Sequence, residues 1–362
     1  MHDQVNYVPI LLTRRGERSA LSELDSESKS RITPLFTVHP RDWDYDQECW
    51  KKTVSEHVET LVDQLYSCWP DRRAFIDLEH LDEWLDGSIE DHPLTLLIEK
   101  SLQLGSNLVP VVAPDRNPDY LNASRHACRE YGTGLCLRLK PSLWPSMPEG
   151  RSSLSDIMDL MGSTPDEVDL ILDLGADTNS ELATSAALGE FLALPNSDKW
   201  RSITLAGGAF PKDLTGVEKD KIYRVSRSDW GLYRRVAEQL SLQGKRRPDF
   251  ADYCVAHPDP SLGVNPRFLI ISGQIRYTVE DDWLVAKGGQ FKRVGGDAVT
   301  SPVRLIVQSD EFRGEQYSAG DAWIAQVYQG GDKKGNPEVW RRVATNHHLK
   351  FVTDQLANQS ET

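Results

Sequence analysis

The sequence predicts an α/β protein: a closed (β/α)8, TIM-like barrel followed by a C-terminal α+β subdomain. Three observations carry that expectation. Short apolar runs recur between helical segments over the first two thirds of the chain, a spacing that demands parallel pairing with crossovers. Several of these runs end in charged side chains on one face, as barrel strands do where they open on polar space. The turn after the first run, Arg14-Arg15-Gly16-Glu17, holds one glycine, so the dinucleotide fingerprint of the rival doubly wound sheet is missing.

The elements follow in order. Tyr7–Thr13 reads as the first strand, with a helix through about Ser26, and Ile32–Val38 as the second. Past the loop Pro40–Asp46, Val54, Val58, Leu61, Val62, Leu65 and Tyr66 stand at helical spacing. Arg72–His80 is the third strand: Ala74, Ile76 and Leu78 take one face, and Phe75, Asp77 and Glu79 the other. Helix His92–Gln103, strand Asn107–Ala113, helix Pro118–Tyr131, strand Gly134–Lys140 and helix Ser155–Met161 continue the alternation. Val168–Gly175, Ser180–Leu194 and Ser202–Gly207 supply the sixth strand, its helix and the seventh strand. The link Gly208–Lys221 is irregular, Ile222–Ser226 is taken as the eighth strand, and Trp230–Leu242 as the helix behind it.

The barrel is thus expected over residues 1–245, and a β-rich α+β appendage over 246–358, with 359–362 as a tail. Within the appendage Phe250–His257, Arg267–Tyr277 and Trp283–Lys287 read as β-like runs between turns, and Ser301–Val307 and Trp323–Tyr328 as weaker ones. Thr345-Asn346 has the look of a helix N-cap, with Leu349, Val352 and Leu356 on one face of the helix that follows.

Composition narrows the function classes. The 41 basic and 55 acidic residues give a net charge of −14, which disfavours a chain that coats nucleic acid but leaves room for a local basic pocket. No apolar run approaches the roughly 20 residues of a membrane helix. Met1–Asn6 lacks the basic start and apolar core of a signal peptide. The five cysteines are scattered without a CxxC pair, so a cytoplasmic protein with neither disulfide framework nor zinc knuckle is expected.

The charged strand ends collect at the expected mouth of the barrel. Arg14 and Glu17 follow the first strand, and Asp77 and Glu79 end the third. Arg138 and Lys140 face inward on the fifth, opposite Leu135, Leu137 and Leu139. Asp169, Ile171 and Asp173 face inward on the sixth, and Arg224 and Arg227 belong to the eighth strand and its loop. Arginines can fork onto anionic oxygens, and carboxylates can act as general base or hold Mg²⁺. Asp77, Glu79 and Asp173 are therefore the candidate catalytic or metal-holding groups, and Arg14, Arg138, Lys140 and Arg227 the anion clamp. The plainer alternative is that pairs such as Asp77–Arg138 and Asp173–Lys140 neutralise one another. Gly207-Gly208-Ala209 can cradle phosphate or form a tight turn. The adjacent His347 and His348 point about 100° apart on a helix and cannot chelate one metal as an i, i+4 pair would. His39 and His80, at strand ends, have a better claim on the rim.

Several motifs in order, among them Arg15-Gly16-Glu17, Thr33-Pro34-Leu35-Phe36, Ile76-Asp77-Leu78-Glu79, Arg227-Ser228-Asp229-Trp230, Asp252-Tyr253, Ile275-Arg276-Tyr277-Thr278 and Thr345-Asn346-His347-His348, resemble the bacterial and phage "beta protein" family. Where that family usually carries a lysine two residues before Gly-Glu, this chain has Arg14, which keeps the charge and excludes lysine-specific covalent chemistry. The resemblance gives weight to Arg276, Tyr277, Asp252 and His347, and implies phage-related or defence-associated settings. It supplies no reaction. Taken together, Asp77, Glu79, Asp173 and His347 are expected to be catalytic, and Arg14, Glu17, Arg138, Lys140, Arg227, Arg276 and Tyr277 to bind substrate. The expected ligand is an anionic small molecule or nucleic-acid end, with hydrolysis of a phosphodiester or nucleotide as the reaction. The alternative is a non-catalytic sensing or interaction component of a phage-defence system, with an operon-encoded protein partner.

Overall fold

The computed structural model describes residues 6–81, 91–147, 150–260 and 270–360. Residues 1–5, the start of the Arg267–Tyr277 run, and residues 361–362 of the expected tail lie outside them. The strands are β1 (Tyr7–Leu12), β2 (Leu35–Thr37), the short hairpin β3 (Trp43–Asp44) and β4 (Cys49–Trp50), β5 (Arg73–Asp77), β6 (Asn107–Val112) and β7 (Leu135–Leu139). After them come β8 (Val168–Asp173), β9 (Ser202–Gly207), β10 (Ile222–Ser226), β11 (Asp249–Asp252), β12 (Ser272–Thr278) and β13 (Asp282–Gln290). The helices are α1 (Arg15–Ser22), α2 (Ser26–Ser30), α3 (Val54–Cys68), α4 (Pro93–Gln103), α5 (Pro118–Tyr131) and α6 (Gly150–Met161). The rest are α7 (Glu181–Ala193), α8 (Ser228–Leu242), α9 (Phe291–Val294), α10 (Thr300–Val307), α11 (Ala319–Tyr328) and α12 (Pro337–Ser360).

Eight strands close into a parallel barrel in the order β1-β11-β9-β8-β7-β6-β5-β2. The period-two alternation read from the sequence sorts the side chains as expected. Ala74, Ile76, Leu78, Leu135, Leu137, Leu139, Leu170, Leu172 and Leu174 join the core between barrel and helices. Phe75, Cys136, Ile171, Ala206 and Ala251 fill the interior with Val8, Ile10, Val109 and Val111. At the N-terminal end Asp169 takes Arg201 at 2.6 Å, Ser202 Oγ at 2.6 Å and the Arg73 guanidinium. That cluster lies at the end of the barrel that serves stability rather than chemistry.

The eighth strand is not the one the sequence suggested. Ile222–Ser226 leaves the barrel and pairs antiparallel with β13, which pairs in turn with β12. The eighth place belongs to Asp249–Asp252, which pairs with β1 and β9. The barrel therefore draws on residues either side of Arg246. The helix that follows β11 around the ring is α12, whose Leu349, Val352 and Leu356 lie in the same core as the other barrel helices. Its first turns carry Trp340 and Val343 into a second core, with Ile275, Tyr277, Leu284, Val303 and Ile324. The three-stranded sheet and α9–α11 are thus excursions from the loops after β9 and β11, which places them at the C-terminal mouth. Ser301–Val307 and Trp323–Tyr328, read as weak strands, are helical.

The start of α12 also differs from expectation. Asn336 accepts the Val339 N–H at 3.0 Å and Pro337 takes the first helical position, so the cap lies there. Thr345-Asn346-His347-His348 sits in mid-helix. Asn346 instead ties three elements together, accepting from Gly320 N at 2.8 Å and donating to Ala20 O at 2.9 Å.

Candidate functional site

Asp77, Arg138 and Asp173 converge at the C-terminal mouth, as their strand positions predict. Arg138 Nη1 donates to Asp77 Oδ2 at 3.0 Å, and Nε and Nη2 donate to Asp173 Oδ2 at 2.9 and 2.7 Å. Arg116 Nη1 takes the other Asp77 oxygen at 2.6 Å. Tyr253, from the loop after β11, donates its hydroxyl to Asp173 Oδ2 at 2.6 Å and accepts from Arg138 Nη2 at 2.6 Å. Backbone N–H groups of Glu79 and Gly175 complete the two carboxylates at 2.9 and 2.8 Å. Burial pushes both carboxyls up, but Arg116 and Arg138 hold Asp77, and Arg138 with Tyr253 holds Asp173, below the ordinary carboxylate range. Glu79 pairs with Lys140 at the more exposed edge and lies 3.6 Å from Arg138.

All four oxygens of Asp77 and Asp173 are engaged by donors. A divalent cation would have to displace Arg138, Arg116, Tyr253 or a backbone N–H from these oxygens, so this donor set does not fit Mg²⁺. The network holds Arg138 rigidly and presents it, with Asp173, Glu79 and Lys140, to a cavity of about 340 Å³. His80 and Tyr253 line the same cavity, as do apolar Ile10, Leu11 and Leu174.

A second chamber of about 550 Å³ adjoins it, between the barrel mouth and the small sheet. The two share Leu12, Glu17, Val255 and Arg341 among their walls. Arg14 and Arg15 at the start of α1, Lys212, Arg276 of β12 and Arg341 of α12 make this outer chamber cationic. Arg15 pairs with Glu338 at 3.3 Å, and Lys212 with Asp259. Among the described residues Arg14 and Arg341 make no ion pair, and Arg276 spends one nitrogen on Val255 O at 2.5 Å. Desolvation and then the nearby Arg341 charge pull Arg276 well below its ordinary pKa, against the pull of Glu17.

Glu17 is the buried carboxyl at the waist, where Asp259, exposed and paired with Lys212, also lines both chambers. Glu17 is 6 % exposed, and its Oε2 has no hydrogen-bond partner among the described residues. Burial raises its pKa, and Arg341, Arg14 and Arg276 offset only part of that. The strand ends place Arg14 and Glu17 at the mouth and the family resemblance gives weight to Arg276, but neither singles out Arg341. Its signal was present in Trp340-Arg341, three and four residues into a helix whose cap was misplaced.

Other expected site residues lie elsewhere. Arg227 is 1 % exposed, packs against Trp230 and Trp283, and donates to Val279 O and Glu280 O at 3.2 and 3.0 Å. It missed the mouth because the strand before it is not a barrel strand. Arg224 is on the exposed edge of β10, paired with Asp282 and Glu311. Tyr277 stacks on His347 with centroids 3.8 Å apart, and both reach Asp321, at 2.7 and 2.8 Å. His347 Nε2 donates to Thr278 O at 2.9 Å, since that carbonyl only accepts. These residues form the polar centre of the small sheet's core and line neither chamber. His39 is bound to Thr13 Oγ1 at 2.7 Å and does not line the chambers either.

A Cβ on Gly207 would lie 2.6 Å from Thr178 Cγ2 and one on Gly208 2.6 Å from Pro258 Cγ, so close packing explains this pair without a phosphate. Asp252, Cys254 and His348 bring potential ligand atoms within 4.8 Å of one another. Asp252, however, already accepts from Tyr7 OH at 2.6 Å, Cys254 N at 2.9 Å and His348 Nε2 at 2.8 Å, which leaves it little to offer a metal.

No helix among the described residues is long and apolar enough to cross a membrane. No curated protein matches the chain. Among solved structures it is similar to the tryptophan synthase α-subunit of the hyperthermophile Pyrococcus furiosus, at 13 % identity over 70 % of this chain and 90 % of that one, with a TM-score of 0.39. It is also similar to triosephosphate isomerase of Bartonella henselae, at 8 % identity over 68 % and 90 % with a TM-score of 0.33. A third likeness is to the carboxyl transferase domain of Rhizobium etli pyruvate carboxylase, at 11 % identity over 97 % and 48 % with a TM-score of 0.40. These likenesses concern fold alone, and the fold stands on the closed strand order. The family model described as Beta protein matches residues 7–354, and the chain belongs to the Beta protein family.

Proposed function

We propose that the double chamber at the barrel mouth binds a small anionic molecule, of phosphate or phosphate-ester class, and that hydrolysis of such an ester is the reaction it suits. The observation that carries this reading is the trio Arg14, Arg276 and Arg341, which face one chamber and make no ion pair among the described residues, with buried Glu17 as the carboxyl whose charge acts on all three. Guanidinium forks match phosphate oxygens, and a cationic cleft on a chain of net charge −14 is a local departure that supports an anionic ligand. An incoming anion would relieve the repulsion between Arg276 and Arg341. The inner chamber, with more apolar walls, would take the uncharged part of the molecule. In this reading Asp77 and Asp173 act by positioning Arg138, while Glu79 and Glu17 are the carboxyls available to the ligand.

A second reading is non-catalytic: the same cleft senses an anionic ligand or an acidic segment of a protein partner, as a phage-defence component would. The exposed apolar side chains of Ile270 and Ile271, the latter in the wall of the outer chamber, favour it.

Thermal-shift titration with inorganic phosphate, pyrophosphate and nucleotides tests the common premise. A site ligand at a hundred times its Kd should add about 2.7 kcal/mol of stability. Arg276→Gln and Arg341→Gln should each abolish the shift, whereas an unchanged shift in both would sink the assignment. Release of phosphate from the ligand that binds separates hydrolysis from sensing.

A further inference from the structure

We propose that an oxyanion held in this cleft is bound through one proton shared with the Glu17 carboxyl, so that binding draws a proton from solvent whenever the anion brings none. The inference rests on the anion-site reading above and adds to it the proton stoichiometry and the group responsible.

The argument starts from geometry. Glu17 stands where the two chambers meet, is nine-tenths buried, and has an oxygen without a hydrogen-bond partner among the described residues. A desolvated carboxylate with an unused oxygen is costly, and taking up a proton removes the cost. The charges that face it are mostly positive: Arg14 and Arg18 from its own end of the chain, Arg276 from β12 and Arg341 from α12. Opposing them is Glu338, which is engaged by Arg15, while the Cys254 thiol, which burial keeps protonated, adds no charge. Across the inner chamber lie His80, the Glu79–Lys140 pair and Asp173, the last neutralised by Arg138, while His257 and Asp259, the latter paired with Lys212, line both chambers.

An anion entering this ring changes the balance. It neutralises the arginines that now favour the carboxylate and sets oxygens of its own beside Glu17. Two negative oxygens facing each other there would repel, whereas a proton between them makes a hydrogen bond. Hydrogen phosphate can supply that proton itself. Sulfate, which does not titrate near neutrality, must take it from water.

Sulfate is therefore the informative probe. Calorimetric titration of the full chain with sodium sulfate, in buffers of different ionisation heat over a pH series, should show uptake rising towards one proton per sulfate bound on the alkaline side. Over that range the affinity should fall towards about tenfold per pH unit, as one linked proton requires. Glu17→Gln should bind sulfate without proton uptake and with nearly flat pH dependence, and should still bind phosphate. Wild-type binding with no uptake anywhere in the series overturns the proposal and leaves the anion site standing, and this measurement does not depend on the variant folding. Unchanged uptake in Glu17→Gln also overturns it. Failure of both sulfate and phosphate to bind overturns the anion site and this inference together.

Discussion

His348 and Asp252 meet at 2.8 Å, joining the eighth helix of the barrel to the eighth strand across 96 residues of sequence. Neither is exposed to solvent, and the other imidazole nitrogen faces Thr278 Oγ1 at 2.8 Å. Burial, opposed by Asp252, lowers the His348 pKa, and His348 with Tyr7 holds Asp252 below the ordinary carboxylate range despite its own burial. With Tyr7 OH on Asp252 and Thr278 Oγ1 against His348, the pair ties β11 and α12 to β1 and β12.

The first prediction follows from that lock. His348→Ala strands a buried carboxylate, and the loss of one partner of a buried pair costs about 3–5 kcal/mol. Urea unfolding should show a shift of that size, and a shift under about 1 kcal/mol would mean that Asp252 finds another donor.

Arg138 gives the second. Its removal leaves the buried Asp77 and Asp173 with Arg116, the Tyr253 hydroxyl and the Glu79 and Gly175 N–H groups as donors, and with Arg116 as the one cation left among them. Arg138→Ala should therefore destabilise by about 3–5 kcal/mol. Asp77→Asn, which keeps an oxygen acceptor for Arg116, should cost less. In denaturant melts the double variant should lose less than the sum of the two single losses, and strict additivity would show that the two residues do not act as one network.

The third concerns acid. His92 caps α4 by accepting the Leu94 N–H, and desolvation lowers its pKa from 6.5 to about 4. Between those values the unfolded chain binds a proton that the folded ring refuses, so the stability His92 allows is complete above pH 6.5 and is lost as pH falls towards 4. His92→Asn keeps a capping oxygen and removes the titration. Thermal melts should show the variant gaining on wild type as pH falls through that window. Parallel curves would contradict the neutral buried ring.

Most of the barrel was legible because its strands obey one rule. Inward and outward side chains alternate, so Ala74, Ile76 and Leu78 could be sorted from Phe75 and Asp77 by counting. The eighth strand broke the reading because periodicity does not distinguish a barrel strand from a sheet strand. Ile222-Tyr-Arg-Val-Ser has the better β-former content, yet Arg224 at its centre belongs to a half-exposed antiparallel sheet. Asp249-Phe-Ala-Asp is short and polar at both ends, which is what closure against β1 and capping by His348 require. At the site, residue types were legible and pairings were not. Asp77, Arg138 and Tyr253 come from segments 61 and 115 residues apart, and nothing local announces which will meet.

The separation of β11 from α12 has a consequence for how this molecule is made. The wall built by β1 and β11, which Trp230 and Tyr233 of α8 cover in part through Phe250, lacks its last helix while the sheet and α9–α11 are synthesised, until Leu349, Val352 and Leu356 emerge from the ribosome. Throughout translation of that interval an apolar flank is open to chaperones and to neighbouring nascent chains, and a chain halted before Pro337 would carry a nearly complete barrel with an unguarded seam.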